Sequence, residues 1–228
     1  MNSEKKEEMT QSEQACSTLP NDFAGWWSAP GEWVEEPNQR RSGWSGMLRV
    51  RIGEQVFYVK KQCNHLCRTL AHPFGWPTAS RERFNIGRLQ ALGLRVPTPV
   101  FHGERRSENG FEAILVTEEL AGFAALDTQT GLSPAARQAL AAEAGRVLGI
   151  MHRAHWQHSC LYDKHLFVRW QGERPEVALI DLEKLRRPIL HWKAAAHDLN
   201  QLQRHQKIWS AEEWCMLEAA HRSSVEGG

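Results

Sequence analysis

Strand-like and helix-like patterns are segregated along this 228-residue chain, and their order limits the folds it can adopt. In the first half, alternating residues on either side of Gly53–Glu54 predict a β-hairpin, and "PTPVFHG" and "FEAILVT" predict two more strands. One helix, beginning at Thr78, interrupts these strands. In the second half, Ser133-Pro134 and the capping box Ser210-x-x-Glu213 predict helix starts. We therefore expect an α+β fold with a mainly antiparallel sheet.

The expected organisation is a β-rich N-terminal lobe followed by a small, mainly helical C-terminal lobe that contains one β-hairpin. Residues 1–20 are polar and charged, and we expect them to form a disordered tail. Residues 21–228 are expected to form a single domain. Within it, residues 21–120 make the first lobe with its connector, and residues 121–228 make the second.

Charge and cysteine content narrow the class of protein. A formal net charge of +1 argues against a nucleic-acid partner bound by a broad basic face. No stretch approaches the ~20 apolar residues of a membrane span, and the N-terminus lacks the apolar core of a signal peptide, although peripheral membrane contact stays open. Five cysteines without the spacing of a disulfide framework predict a reducing, cytoplasmic environment.

Several residues follow one another in the order that phosphoryl transfer requires. Transfer from ATP needs a lysine on the phosphates, an acid that orients this lysine, and an aspartate that holds Mg²⁺. Lys60 ends a predicted strand, Glu82 lies on the apolar stripe of the next helix, and Asp181 follows the apolar run "VALI". Gly43 and Gly46 precede the predicted hairpin, where a tight backbone could approach phosphates.

Each of these residues also has an ordinary structural interpretation. A lysine at a strand end is usually a solvated edge residue, and Glu82 could simply pair with Arg49 or Arg51. The segment "GWSG" could be an ordinary turn. Asp181 is the stronger signal, because a surface aspartate seldom ends a buried strand. The serial order therefore carries more weight than any single residue.

The segment "QHSCLYDKHLFVRW", residues 157–170, resembles the catalytic loop of a phosphotransferase. His158 opens the loop, His165 closes it, and a short strand follows. Cys160 stands where such a loop usually carries an aspartate. Asp163 is the acid within the loop and is our candidate for a substitute base.

Several segments in fixed order resemble one protein family. They are "FYVKKQ", "SRERFNIGRLQALGL", "ILVTEEL", "LGIMHRAHWQHSCLYDKHLFV" and "LIDLEKLRRP". The chain resembles the lipopolysaccharide core kinases, which phosphorylate core sugars (Kdo or heptose) on a protein-kinase-like fold. In "EWVEEPNQRRSGWSG", "LVTEELAGF" and "DLEKLRR" it is most similar to a stress-linked bacterial branch of that family. This resemblance implies ATP and Mg²⁺ as cofactors and a sugar or lipopolysaccharide-core acceptor as partner.

The resemblance also implies roles for individual residues. Those implied to contact the nucleotide are Lys60 on the phosphates, Glu82 as its helix partner, and Glu118 to Leu120 over the adenine. His158 matches the histidine that opens the catalytic loop, and Asp181 matches the aspartate that binds Mg²⁺. Spacing alone does not decide between Lys60 and Lys61.

Two positions depart from the expected kinase pattern. Cys160 replaces the carboxylate that orients the acceptor hydroxyl, and His165 stands where a protein kinase places a metal-binding asparagine. A neutral imidazole is a poor ligand for Mg²⁺, so His165 could instead pack the loop. Asp163 could replace the missing base if the loop shifts, or it could be a solvated acid. Cys160 could act as a redox switch or be a small buried residue.

Two main hypotheses about function remain after this comparison. The first is an ATP- and Mg²⁺-dependent kinase that acts on a sugar or lipopolysaccharide-type hydroxyl. The second, which Cys160 favours, is a catalytically impaired pseudokinase that acts as a nucleotide-binding stress sensor or interaction protein. A protein kinase is a weaker third hypothesis, because the second lobe leaves little room for a platform that binds a peptide substrate.

Overall fold

The structure, a computed structural model, describes three stretches of the chain: residues 18–40, 43–190 and 193–227. They form two compact units. The first runs to Ser80 and also contains Pro99–Glu119, and the second contains Arg81–Thr98 and the chain from Leu120 onward. The tail predicted over residues 1–20 lies outside the described residues up to position 17.

A five-stranded antiparallel sheet in the order β1-β2-β3-β7-β6 forms most of the first unit, and β4 and β5 form a separate hairpin. The strands are β1 Glu32–Arg40, β2 Gly43–Ile52, β3 Gln55–Cys63, β4 Leu66–Thr69, β5 His72–Pro77, β6 Pro99–Ser107 and β7 Gly110–Glu118. The hairpin predicted around Gly53–Glu54 is confirmed, because Ile52 pairs with Gln55 across the turn. Strand β1 and the β4–β5 hairpin had not been predicted.

A short helix covers one face of this sheet. Helix α1, Phe23–Ser28, begins where Asp22 accepts a hydrogen bond from the Gly25 N–H at 2.8 Å. Trp26 is completely buried and packs edge-to-face on Phe57, with the ring centroids 5.4 Å apart. The other buried apolar side chains of this core come from the three inner strands β2, β3 and β7 and from the residue that follows α1: Leu48, Val50, Val59, Ile114, Val116 and Ala29.

Helix α2, Thr78–Gln90, confirms the helix predicted from Thr78. Its apolar stripe is buried as expected, and Glu82 lies on that stripe with 9% of its surface exposed. Asn85 fixes the helix within the second unit by donating to the Leu182 carbonyl at 2.7 Å and the Leu185 carbonyl at 3.2 Å. Residues 81–98 therefore pack with the second unit rather than with the sheet.

The second unit combines three further helices with a three-stranded sheet in the order β10-β9-β8. Its elements are β8 Ala124–Ala125, α3 Pro134–Arg153, β9 Leu166–Gln171, β10 Arg174–Leu179, α4 Ala194–His205 and α5 Ala211–Glu226. Both predicted helix starts are confirmed: Ser133 caps α3, and Ser210 and Glu213 form the capping box of α5. Within the described stretches, no helix has the length and apolar content that crossing a membrane requires.

Helices α3 and α5 pack so closely that the backbone of one contacts the backbone of the other. A Cβ atom on Gly145 would collide with the Leu217 carbonyl oxygen, and one on Gly149 would lie 2.7 Å from the His221 carbonyl oxygen. Glycine is therefore required at both positions of α3 for the helices to pack this closely. This contact holds the C-terminal end of α3, from which the loop at residues 157–165 emerges, against α5.

Candidate functional site

The loop that follows α3 is bonded to side chains of α4. Asp198 accepts the His158 N–H at 2.6 Å with Oδ2 and the Ser159 N–H at 3.0 Å with Oδ1. Gln201, one helical turn later, accepts the Leu161 N–H at 2.8 Å. Because Ser159 has φ of 69°, its backbone lies in the left-handed region, and these bonds hold the loop in that conformation.

Asp198 is completely buried, and sequence reasoning had missed it. Burial alone would raise the pKa of its carboxyl, but hydrogen bonds from the His152 ring and from the His158 N–H hold the pKa below its usual range. The sequence signal for Asp198 is its spacing: it lies four residues after Ala194 and four residues before Leu202. Both neighbours are buried, so Asp198 lies on the apolar stripe of α4.

Two buried histidines extend this network across the second unit. His152 Nε2 lies 3.2 Å from Asp198 Oδ2, and His152 Nδ1 lies 2.8 Å from His221 Nε2. Burial, together with the nearby His152 and Arg222, lowers the pKa of His221 to about 4. The Asp198 carboxylate thus contacts His152 of α3, and His221 of α5 contacts the other nitrogen of the His152 ring.

We expect the free energy of unfolding to fall as the pH drops from about 6.5 to about 4. The unfolded state takes up a proton on His221 near its ordinary pKa, whereas the folded state takes one up only near 4. The wild-type protein should therefore lose its stability advantage over a His221→Gln variant across this range, as measured by urea unfolding at a series of pH values. Parallel curves for wild type and His221→Gln would contradict the prediction.

His158 links the loop to the segment before Asp181. Its ring is completely buried, and Nε2 donates to the Ile180 carbonyl oxygen at 2.9 Å. Burial lowers the pKa of His158, which keeps the ring neutral. A neutral ring that donates from Nε2 carries its lone pair on Nδ1, and no donor among the described residues reaches that atom.

Asp181 lies beyond the end of its strand rather than on it, because β10 ends at Leu179. It adopts a left-handed backbone conformation, with φ and ψ both 56°, at the start of a short 3₁₀ helix. Its carboxylate Oδ2 lies 3.5 Å from His165 Nε2, and about a third of its side chain is exposed. The turn therefore directs an accessible carboxylate toward the ring of the histidine that closes the loop.

The second contact of the His165 ring shows which of its two nitrogens donates a hydrogen bond. His165 Nδ1 lies 2.6 Å from the Cys160 carbonyl oxygen, which can only accept, so Nδ1 carries the hydrogen. In the neutral ring Nε2 then presents a lone pair toward the Asp181 carboxylate. Two acceptors that face each other at this distance require a proton or a metal cation between them.

Cys160 is almost buried, with 9% of its surface exposed, and its sulfur accepts a hydrogen bond from Lys184 Nζ at 3.2 Å. This bond raises the pKa of Lys184. Asp163 begins the 3₁₀ turn Asp163–His165, and its Oδ1 accepts the N–H of Lys164 at 2.9 Å. The loop thus brings His158, Cys160 and His165 together with Asp181, whereas the Asp163 carboxylate bonds to the backbone of the next residue.

In the first unit, the side chains of Lys60 and Lys61 point to opposite faces of the sheet. The Lys61 ammonium donates to the Trp27 carbonyl at 2.6 Å on the face covered by α1, and burial lowers the pKa of Lys61. Lys60, next along β3, points to the opposite face and is 9% exposed. Lys61 thus binds α1 through the Trp27 carbonyl, whereas Lys60 does not face that helix. Spacing in the sequence did not distinguish the two lysines.

Gly43 and Gly46 lie on β2, which is the first strand of the predicted hairpin, rather than before it. Gly43 pairs with Arg40 of β1, and Gly46 pairs with Lys61 of β3. A Cβ atom on Gly43 would collide with the backbone of Cys63 and Asn64, and one on Gly46 would lie 2.7 Å from the Trp33 ring. Close packing within the first unit already requires glycine at both positions.

The other predicted nucleotide-contacting residues lie at the ends of their elements. Glu118 is the last residue of β7, and the Glu119 N–H bonds to the Val56 carbonyl at 2.9 Å. Leu120 begins a turn in the second unit that is closed by the Phe123 N–H at 3.0 Å. Arg49, one of the two arginines considered as a partner of Glu82, pairs with Glu119 at 3.4 Å.

Comparisons with protein families, individual proteins and solved structures agree with one another. Residues 24–221 match the model of the lipopolysaccharide kinase (Kdo/WaaP) family. The chain is 36% identical to Protein InaA of Escherichia coli (strain K12) over 211 residues, which is 90% of this chain and 97% of that protein. A solved structure of WaaP in complex with acyl carrier protein matches with a TM-score of 0.67 and 22% identity, covering 88% of this chain and 81% of that one.

The antiparallel sheet, the helical second unit and the anchored loop are those of a kinase-like protein, which confirms the expected α+β, kinase-like fold. The chain belongs to the lipopolysaccharide kinase (Kdo/WaaP) family.

Proposed function

We propose that the protein transfers a phosphoryl group from ATP, with Mg²⁺, to a hydroxyl of a sugar of the lipopolysaccharide-core type. The observation that carries the proposal is the approach of Asp181 Oδ2 to His165 Nε2 at 3.5 Å. Both groups present acceptors to the same point, and both are fixed by a loop bonded to Asp198. Such an arrangement supports a cation site next to the loop. Family membership supplies the class of acceptor.

The residues present fit a divalent cation that is shared with the nucleotide. Mg²⁺ is usually held by one or two carboxylates together with substrate phosphates, and it keeps several waters. Among the described residues, no three or more His, Cys, Asp and Glu side chains gather as a preformed cage, which agrees with this mode. We assign the metal to Asp181, with His165 beside it. When bound, the ion neutralises charge that develops on the transferred phosphoryl group.

The remaining family positions take supporting roles in this proposal. Lys60 would contact the phosphates, with Glu82 as the acid on α2 that orients it, while Gly43, Gly46, Glu118 and Leu120 would line the nucleotide. His158 is buried and therefore cannot touch substrate, so we assign it a positioning role on the Ile180–Asp181 turn. Asp163 is the proposed substitute base, and it is less efficient than a carboxylate at position 160 would be. The described cysteines are free thiols, which agrees with a reducing compartment such as the cytoplasm.

The experiment that tests phosphotransfer restores the missing carboxylate. We expect a Cys160→Asp variant to turn over ATP about 10²-fold faster than wild type in the presence of a Kdo- or heptose-containing core oligosaccharide. The new carboxylate would lie near Lys184, whose ammonium now bonds the Cys160 sulfur and would compensate the added charge. A Cys160→Ser variant removes the thiol without adding a base and should stay at the wild-type rate.

Three outcomes of this experiment decide between mechanisms. Equal rates for Cys160→Asp and Cys160→Ser, both above background, would show that a missing base does not limit turnover. Loss of turnover in Asp163→Asn would then assign the base to Asp163. Absence of acceptor-dependent turnover in wild type and in both Cys160 variants would contradict the kinase proposal.

The second candidate function is a nucleotide-binding stress protein without phosphotransfer. The observation that favours it is the engagement of Cys160 with Lys184 at the position where the family pattern has a carboxylate. A stress context for either function is what the sequence resemblance to the stress-linked branch of the family implies. In this case MgATP should raise the melting temperature of wild type but not of Lys60→Met, and no acceptor should be phosphorylated.

A further inference from the structure

Two large apolar side chains of the β4–β5 hairpin are exposed to solvent. Leu70, in the turn, and Phe74, on β5, are 104% and 95% exposed, respectively. Scattered single apolar residues are normal on protein surfaces, but these two project from the same narrow hairpin. Pro73 and Ala71 beside them are exposed as well, so the end of the hairpin is apolar.

The hairpin is held in shape by several side-chain contacts. The Thr69 hydroxyl accepts the His72 N–H at 3.1 Å across the turn, and the Cys67 thiol donates to the Trp76 carbonyl at 3.3 Å. The rings of His72 and Trp76 stack, with centroids 4.3 Å apart and an interplanar angle of 14°. A two-stranded hairpin alone is marginally stable in water, so these contacts keep the apolar end projecting instead of letting it fold back.

The surroundings of the hairpin are cationic. Residues 55–81 contain no Asp or Glu, and Arg68 on β4 is exposed. A cleft of about 350 Å³ lies between the hairpin and the β6–β7 turn, with Phe74 and the exposed Arg106 in its lining. The Arg106 guanidinium lies 5.6 Å from the centroid of the Phe111 ring, and the turn contributes one exposed acid, Glu108.

We propose that the β4–β5 hairpin is a membrane-docking site that inserts Leu70 and Phe74 into the surface of a bilayer containing anionic phospholipids. Arg68 and Arg106 would contact lipid phosphates, while the apolar end enters the boundary between headgroups and acyl chains. Two projecting side chains offer far less than the ~800 Å² per partner of a stable protein interface, which favours a lipid surface over a protein. This site does not depend on phosphotransfer activity and would operate in an active or an inactive protein.

The test is flotation of the full-length protein with lipid vesicles. We expect binding to vesicles of phosphatidylethanolamine and phosphatidylglycerol, and little binding to vesicles of phosphatidylcholine. A Leu70→Ser/Phe74→Ser variant should bind at least about tenfold more weakly, because both inserted side chains are lost. Arg106→Gln should weaken binding about fivefold. Ile189→Ser, which changes an equally exposed apolar residue of the second unit, is the matched control and should bind like wild type.

The melting temperature of the double variant should match wild type, because both substituted side chains contact water in the folded protein. Wild-type protein that ignores anionic vesicles, or a double variant that binds them as well as wild type, would overturn the proposal. Self-association that only the double variant abolishes, without vesicle binding, would assign the hairpin to a second copy of the chain. Loss of binding to acyl carrier protein in that variant, again without vesicle binding, would assign it to a protein partner. Either result also overturns it.

Discussion

An Asp181→Asn variant is expected to turn over ATP about 10²–10³-fold more slowly than wild type while keeping its stability. Asparagine removes the charge that would hold Mg²⁺ but tolerates the left-handed backbone conformation that residue 181 adopts. An alanine variant would add backbone strain to the loss of charge, so the asparagine variant separates the two effects. The measurement is acceptor-dependent turnover as a function of Mg²⁺ concentration, with the melting temperature as a check on folding.

Asp163→Asn is the matched control, because it makes the same chemical change in the same region of the second unit. If Asp181 holds the metal, Asp181→Asn should require more Mg²⁺ for half-maximal nucleotide binding, and Asp163→Asn should not. A loss of turnover in Asp163→Asn without a change in Mg²⁺ requirement would fit its proposed role as base. Wild-type Mg²⁺ dependence and turnover in Asp181→Asn would contradict the assignment of the metal.

Replacing Asp198 with alanine is expected to lower the free energy of unfolding by about 3–5 kcal/mol. The change leaves the His158 and Ser159 N–H groups without their acceptor and His152 without its carboxylate. Each unpaired buried group costs about 1–3 kcal/mol, and a protein of this size should melt roughly 10 °C lower. Urea unfolding and calorimetry measure the two quantities.

Two variants show whether this effect depends on the Asp198 network. Asp198→Asn keeps the shape and one oxygen acceptor, so it should cost less than the alanine variant. Asp163→Ala removes a half-buried carboxylate nearby, and we expect it to change stability by less than about 0.5 kcal/mol. A cost of less than about 1 kcal/mol for Asp198→Ala would show that the loop is held by other contacts.

Strands with alternating residues could be predicted from the sequence, while strands without a buried face could not. The β2–β3 hairpin was found because Leu48 and Val50 alternate with arginines and are buried. Strand β1 was missed because its residues are exposed, acidic and interrupted by Pro37, as is typical of an edge strand. The β4–β5 hairpin was interpreted as a loop because Gly75 and its neighbouring prolines read as turn residues.

The members of the candidate loop could be predicted from the sequence, but the side chains that hold it could not be assigned. Asp198 is forty positions from the His158 N–H that it accepts, and nothing local in the sequence specifies that pairing. His221 lies sixty-nine positions from the His152 ring that it contacts. The sequence does place Asp198 on the apolar stripe of α4. The same pattern, an acid on an apolar helical stripe, is what identified Glu82 on α2.

The alternation of Lys60 and Lys61 makes the length of strand β3 critical as well as its composition. A single-residue insertion or deletion after Gln55 would reverse the faces of every later side chain in the strand. Lys60 would then point toward α1, and the Trp27 carbonyl would meet it instead of Lys61. Substitutions within β3 change one contact at a time, whereas a change in its length would exchange the anchoring lysine with the lysine proposed for the nucleotide. We therefore expect length variation among relatives to be confined to turns such as Gly53–Glu54. Residues added there do not change which face of the sheet each β3 side chain points to.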